Sequence, residues 1–455
     1  MRIKDKSEGN PSESAKGLSG HPMLMVLRLR NLRLLWLGQG ASVLGTQFYL
    51  IALPWLVLKL TGDPFQMGMV LALAGIPRAL FMLVGGALTD RFSPRTLMLG
   101  SNFARMVIVG LLTGLVLTGR VDLWMLYIFG LSFGVADAFY FPAQASIMPR
   151  IVDIEHLLAG NSIVQGTNQL SIAVGPALAG ALIAIFSSSP DTSLLTGGGA
   201  AQAADVAGLG FAFGVNALGY LISIIALWMI KMRPPEKPTE ETHEKINVLS
   251  SIIQGFIYVF KDKILRWLLL VTAVSHFCME GPLFIGIPVL ANSRFPEGAA
   301  AFGIIMSAFG AGMLLGVILA GTLPRLPAKS MGMILLIIIS LSGLGLIVFG
   351  LVATTFIAAL IVLIMAAAQG FVVIQYTSWI QGRTPQHLLG RIFSLIMLAS
   401  VGLIPISQAL SGALIKLNTA GLFVGAGILM SLVVGFVAMR PEMRSMGLKT
   451  KRTTP

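Results

Sequence analysis

Apolar runs of about twenty residues follow one another along nearly the whole chain, and no water-soluble fold can bury them all. They lie at roughly 33–58, 66–89, 96–118, 123–145, 161–186, 211–231, 265–290, 302–323, 331–352, 355–378, 391–415 and 419–439. Each is long enough to cross a hydrocarbon core of about 30 Å as a helix. In lipid only helices and closed barrels satisfy their own backbone, and runs this long and uniform lack the polar alternation of barrel strands. The expectation is an all-α membrane protein with twelve transmembrane helices.

The positive charges then fix an orientation. Of 32 Lys and Arg, 26 fall on the side that would hold both termini. Four, Lys59, Arg120, Arg294 and Lys416, fall on the other side, and two, Arg78 and Arg105, fall inside spans. Cytoplasmic loops carry the excess of Lys and Arg, so a multi-pass protein of the cytoplasmic membrane with both termini inside is expected. The net charge of +13 sits in short loops facing anionic lipid, which reads as membrane contact and not as nucleic-acid binding. Lipid and a small molecule are the expected partners, and a monomer the expected state. The one cysteine, Cys278, excludes an internal disulfide and reads as a packing residue. The polar first 30 residues and the length of the first run argue against a cleavable signal.

Residues 232–263 are the longest polar interruption, with six runs before and six after. The organisation read from this is a tail at 1–30, a six-helix bundle at 31–231, a linker at 232–263, a second bundle at 264–439 and a basic tail at 440–455. Within the linker Val248, Ile252, Phe256 and Phe260 share one helical face, as in a helix lying along the membrane surface. The halves echo each other at nearly one offset. Leu32-Arg33-Leu34 matches Leu265-Arg266-Trp267 at 233, His156-Leu157-Leu158 matches His387-Leu388-Leu389 at 231, and Gly86-Ala87-Leu88 faces Gly321-Thr322-Leu323 at 235. Repeated six-helix halves are a common transporter plan, with the substrate site between them near the midplane. The stretch 187–210 is rich in Gly, Ala and Ser and reads as a flexible outer loop.

The loop after the second run carries Gly86, Leu88, Asp90, Arg91 and Arg95, with Ser93 and Pro94 between. The fifth run carries Ser162, Ser171, Gly175, Pro176, Ala179 and Gly180. The first set resembles the G-x-L-x-D-R-x-G-R-R/K gating signature of the major facilitator superfamily. The second resembles that superfamily's antiporter motif, with two glycines become serine and one alanine. Small residues at such spacing also serve plain helix packing. Ile51 to Val57, and Asp137 to Ala143 running on to Leu157 and Asn161, look like the macrolide, drug and siderophore exporter branch. The resemblance covers roughly residues 30–440. It implies export of a small molecule driven by a cation gradient, usually protons, with spans 1, 4, 7 and 10 lining a central cavity.

The chain has no G-x4-G-K-[ST] loop to hold a nucleotide, so the energy source is expected to be an ion gradient, and no cofactor is expected. Five scattered histidines give no metal-ligand spacing, which argues against a metal site or a metalloenzyme. Import or facilitated uniport would suit the same fold, and a membrane-embedded sensor or enzyme suits the sequence less well.

Charges inside spans cost about 2.5–3.5 kcal/mol each at a helix centre, so each needs a partner or a water-filled space. Arg105 and Asp137 have similar depths on adjacent spans and read as a structural pair, the rival role for Asp137 being proton carrier or gate. His276 and Glu280 stand at i and i+4 ahead of Pro282, which should bend or break the helix and free carbonyls. They are candidates for proton coupling, or for a capped kink. Arg78, near the midplane, would hold an anionic substrate group or neutralise an acid. Gln39, Ser42, Thr46 and Tyr49 form one polar stripe, and Gln369, Tyr376 and Trp379 another; with Tyr140 they are candidate cavity residues for an amphipathic organic substrate.

Overall fold

With no water to bond its backbone, each apolar run closes its hydrogen bonds locally, and among the described residues the protein is helical with no strands. The computed structural model describes residues 28–89, 92–186, 200–232, 257–324, 326–327, 329–384, 386–444 and 446. The first half holds α1 (Arg30–Thr61), α2 (Pro64–Thr89), α3 (Pro94–Leu117), α4 (Leu123–Ile147), α5 (Ile154–Phe186) and α6 (Ala200–Met229). The second holds α7 (Lys263–Ser293), α8 (Ala299–Thr322), α9 (Met331–Leu351), α10 (Thr355–Arg383), α11 (Gln386–Val401), α12 (Ile404–Leu414) and α13 (Thr419–Ala438), with the short α14 (Pro441–Arg444) closing the chain. Among the described residues eleven helices are long and apolar enough to cross a membrane, the eleventh-run pair α11–α12 contributing one of them at Leu395–Leu414. The helix α2 lies outside that set and stands where the second apolar run was expected.

Three local departures have physical causes. The reading of 200–210 as flexible loop is overturned: α6 begins at Ala200, in a run of alanines whose helix propensity is the highest of any residue. The eleventh run is broken in two at Gly402 and Leu403, with Pro405 in the first turn of α12, where its missing N–H leaves no bond unmade. The expected break at Pro282 does not occur, since α7 runs unbroken through both Pro282 and Pro288. Here Ser407 of α12 inserts its hydroxyl into the helix ladder. The Gly281 N–H donates to Ser407 Oγ at 3.0 Å, and Ser407 Oγ donates to the Phe277 carbonyl at 2.5 Å. The Phe277 carbonyl is therefore engaged through Ser407.

The helix pairings of the two halves repeat. In the first half α1 packs on α5 and α6, α2 on α4, and α3 on α6; in the second, α7 packs on α12 and α13, α8 on α10, and α9 on α13. The halves meet through α5 with α8 and through α2 with α12, again a symmetric exchange. We call the end holding residues 30 and 440 the terminal face and the opposite end the far face. The contacts between halves gather toward the far face. A Cβ built on Gly412 would lie 2.6 Å from the Pro64 carbonyl, one on Gly68 2.6 Å from that of Gln408, and one on Gly180 2.6 Å from that of Ala299. Glycine there lets backbones touch, which is what holds helices together when lipid is as apolar as the side chains. Lys416 Nζ and Asp63 Oδ2, at 2.7 Å, join the α1–α2 turn to the α12–α13 turn across the same face. The Ala177 N–H donates to Ser307 Oγ at 2.7 Å between α5 and α8. The structure is thus closed at the far face.

Candidate functional site: a layer of charge inside the membrane

Four charged residues lie well inside the helices: Arg78 on α2, Arg105 on α3, Asp137 on α4 and Glu280 on α7. At 1.5 Å per residue from the far-face ends of their helices, all four stand about 18–21 Å deep, in one layer. Their formal charges cancel.

Arg105 and Asp137 are the tightest part. Arg105 Nη1 donates to Asp137 Oδ1 at 2.8 Å, with side-chain exposures of 3% and 11%. Arg105 Nη2 donates to Asn102 Oδ1 at 2.5 Å, one turn earlier on α3, and Asn102 Nδ2 donates to Ser223 Oγ of α6 at 2.9 Å. The guanidinium is held between two aromatic rings, 4.1 Å from the Tyr140 centroid and 4.8 Å from that of Tyr220. Such contacts gain strength when the cation is desolvated. Tyr220 hydroxyl and Thr46 Oγ1 lie 3.2 Å apart. Sequence reasoning missed Asn102, Tyr220 and Ser223. Their signal was faint: Asn102 sits at i−3 from Arg105, on the same face.

Arg78 is different. Its Nη1 lies 3.7 Å from Asp137 Oδ2, and its side chain is 41% exposed. Glu280, which belongs to the other half, stands at the same depth on α7, and α2 and α7 are in contact. Among the described residues no hydrogen bond or ion pair within 4 Å reaches the Glu280 carboxylate. Arg78 thus stands between a carboxylate of its own half and one of the opposite half.

The other candidates have partners or neighbours in their own bundles. Gln39, Ser42 and Tyr140 are buried among α1, α4 and α6. Tyr49 is buried too, its ring stacked on Phe133 at 4.4 Å. His276, Gln369 and Tyr376 line a cavity enclosed by α7, α9, α10 and α13. Trp379 stands at its terminal-face end, donating from Nε1 to the Met446 carbonyl at 2.6 Å. His276 and Glu280, expected to work together, are not joined: His276 Nδ1 is engaged with the Thr272 carbonyl at 2.9 Å.

Of the gating motif, Gly86 lies in α2, and Asp90 and Arg91 lie outside the described residues. Arg95 donates to the Leu227 and Trp228 carbonyls at 2.8 and 2.5 Å, capping the end of α6 within its own half. A cation there satisfies orphan carbonyls and meets the negative end of the helix dipole. In the antiporter-type motif, Gly175 packs on Gln47 of α1, while Pro176 and Gly180 face Gly303 of α8 across the seam between halves.

Two repeated bundles that meet around intramembrane charge define a secondary transporter. The sequence matches the Major Facilitator Superfamily over residues 35–407, and the chain belongs to that family. It is 23% identical over 420 residues to macrolide efflux protein A of Streptococcus pyogenes, covering 91% of this chain and 97% of the relative. It is also 23% identical over 412 residues to the enterobactin exporter EntS of Escherichia coli O81, covering 90% of each. Among solved structures, a bacterial homologue of the iron transporter ferroportin superposes with a TM-score of 0.66 at 17% identity, covering 91% and 99%. A D-xylose–proton symporter superposes with a TM-score of 0.67 at 13% identity, covering 91% and 98%, and these two speak to the fold. The chain is a multi-pass membrane transporter with efflux proteins among its relatives.

Proposed function

We propose that the protein exports a small amphipathic organic molecule across the cytoplasmic membrane by proton antiport, with its far face outward. The carrying observation is Glu280: an intramembrane acid without a hydrogen-bonded partner among the described residues, at the depth of an arginine of the opposite half. When Glu280 is ionised, attraction to Arg78 draws the halves together at that depth. When it is protonated the attraction ends and Arg78 keeps Asp137 as its counter-ion. A proton bound at Glu280 therefore biases the two arrangements differently, which is the requirement for coupling. Arg105, locked to Asp137, Asn102 and two rings, is the fixed part of the layer and Arg78 the movable part. The efflux relatives support the outward direction, and the excess of Lys and Arg on the terminal face supports placing that face in the cytoplasm.

The test is uptake of a macrolide and of enterobactin into inverted vesicles under an imposed pH gradient. Glu280→Gln should abolish gradient-driven accumulation while leaving downhill exchange in place. Arg105→Met, which leaves Arg78 and both carboxylates in place, should keep it. Unchanged accumulation in Glu280→Gln would remove the acid from the coupling role.

A further inference from the structure

The repeat gives each half the same helix pairings, but the two interiors are filled differently. An offset of 233 carries Gln39, Ser42, Arg105 and Tyr140 onto Thr272, Ser275, Ile338 and Val373. In the first half these positions hold the guanidinium and one of the rings around it. In the second half an isoleucine and a valine stand at the matching positions; Val373 borders a cavity inside the bundle, while Ile338 lines a separate space beside α8. The cavity, of about 60 Å³, lies between α7, α9, α10 and α13. Thr272, Ser275 and Val373 are in its wall, and Ile339 lies there beside Ile338.

The wall is mostly aliphatic and thioether, with Met279, Met430, Met443 and Met446 among its members. Thioethers are soft and flexible, so such a wall adapts to its contents. The few polar groups are unfinished. Gln369 Oε1 and Ser275 Oγ are buried without a hydrogen-bond partner. His276 gives its Nδ1 to the Thr272 carbonyl, which can only accept, so the neutral ring carries its proton on Nδ1 and leaves Nε2 as a lone-pair acceptor. Two acceptors and one hydroxyl without partners among the described residues thus line the chamber, beside the hydroxyl-bearing Thr272, Ser342 and Tyr376. Buried polar groups without partners are costly, and an apolar pocket with a few unsatisfied polar groups is the ordinary form of a small-molecule site.

The chamber is covered at the terminal face. Met443 and Met446 belong to its wall, Trp379 Nε1 binds the Met446 carbonyl, and Lys263 Nζ lies 3.3 Å from Glu442. The helix α14 and Met446 therefore sit over it as a pinned cap.

We propose that the second bundle holds a binding site of its own, separate from the space between the halves, for an uncharged lipophilic molecule bearing an O–H or N–H donor. The donor would meet Gln369 Oε1 or His276 Nε2, and the apolar body would lie against the aliphatic and thioether wall. The proposal does not depend on proton coupling at Glu280.

The experiment uses the purified full chain in lipid nanodiscs and 19F NMR of two probes, 4-fluorophenol and fluorobenzene, against empty nanodiscs. Saturable line broadening is expected with both, about tenfold weaker for fluorobenzene, a difference of about 1.4 kcal/mol for one well-placed hydrogen bond. Met279→Trp should fill the chamber and remove the saturable component. Should that variant fail to fold, the volume-conserving pair Ser275→Ala and Gln369→Leu decides alone: phenol affinity should fall to that of fluorobenzene, whose own affinity stays. Broadening that only scales with lipid, or saturable binding untouched by every variant, overturns the site. Equal affinity of the two probes in the unaltered chain overturns the donor requirement, and with it the proposed class.

Discussion

Asp137 is the acid on which two arginines depend, so its loss should cost more than the loss of either. In Asp137→Asn the Arg105 guanidinium remains, 3% exposed, with Asn102 and two ring faces but no counter-ion. Breaking a buried pair by removing one partner costs about 3–5 kcal/mol, because a charge is left uncompensated. Arg78, 41% exposed, can hydrate and adds little. In Arg105→Met the position reverses: Asp137 still has Arg78 at 3.7 Å, and a thioether packs well between two rings. That change should cost about half as much. The double variant removes both charges and leaves the layer neutral. Replacing a buried pair by apolar groups is often close to neutral, so it should recover most of the Asp137→Asn loss. For a chain this long each kcal/mol is worth roughly 1–2 °C in Tm, extrapolating the size trend. The single Asp137→Asn change should therefore lower Tm by about 5 °C, read by thermal unfolding of the purified protein. Equal losses from the two single changes, or additive losses in the double, would refute a shared acid as the organising charge.

Three further outcomes follow from the contacts between halves. Desolvation raises the Asp63 carboxyl, but the Lys416 ammonium and the N–H groups of Phe65 and Gln66 outweigh it and hold the group below the usual carboxylate range. The latch is therefore complete above the free carboxylate value of about 3.9 and is lost as pH falls through the lowered value. Its partners are 25% and 45% exposed, so it contributes at most about 1 kcal/mol, less in salt. Far-face opening, followed by the distance between labels on residues 62 and 417, should increase at acid pH and stop responding in Asp63→Asn. Gly180→Ala would press a methyl to 2.6 Å from the Ala299 carbonyl, and overpacking of about 1–3 kcal/mol should move the same distance toward the open form. Arg78→Gln removes the arginine of the intramembrane layer that stands at the depth of Glu280, and gradient-driven transport should fall at least tenfold while Tm moves by less than in Asp137→Asn.

The fold was legible because lipid leaves the backbone few options: long apolar runs had to be helices, and loop charge ordered them. Depth was legible too, since 1.5 Å per residue put Arg105 and Asp137 at one level. Direction was not. The stripe Gln39, Ser42, Thr46 and Tyr49 was visible as a stripe, yet periodicity cannot say whether such a face turns to its own bundle or to the cleft between bundles. In water the apolar face chooses the interior. In lipid both sides of a helix are apolar, and small residues such as Gly38 and Gly45, packed on Ser223 and Asn216, decide the rotation. Contacts between distant segments, such as Asp63 with Lys416 or Ser407 with Gly281, left no local pattern at all. The helix also runs on through Pro282, beside the turn where Ser407 bonds the Gly281 N–H and the Phe277 carbonyl.

The difference between the halves bears on how one repeat can become a machine with a direction. If both interiors held an arginine–carboxylate pair, each would be satisfied within itself and no charge would be shared across the cleft. Here the first half carries two arginines and one acid, a surplus of one positive charge, and the second half carries a lone acid. Neither half is neutral alone at this depth, and the layer balances only when they face one another. The surplus must be the more exposed arginine, because Arg105 is enclosed by Tyr140, Tyr220 and Asn102 and cannot follow a moving partner. The second bundle, with Val373 at the position matching Tyr140, also holds the cavity beside His276. Loss of symmetry thus accounts for a charge that must look across the cleft for its partner.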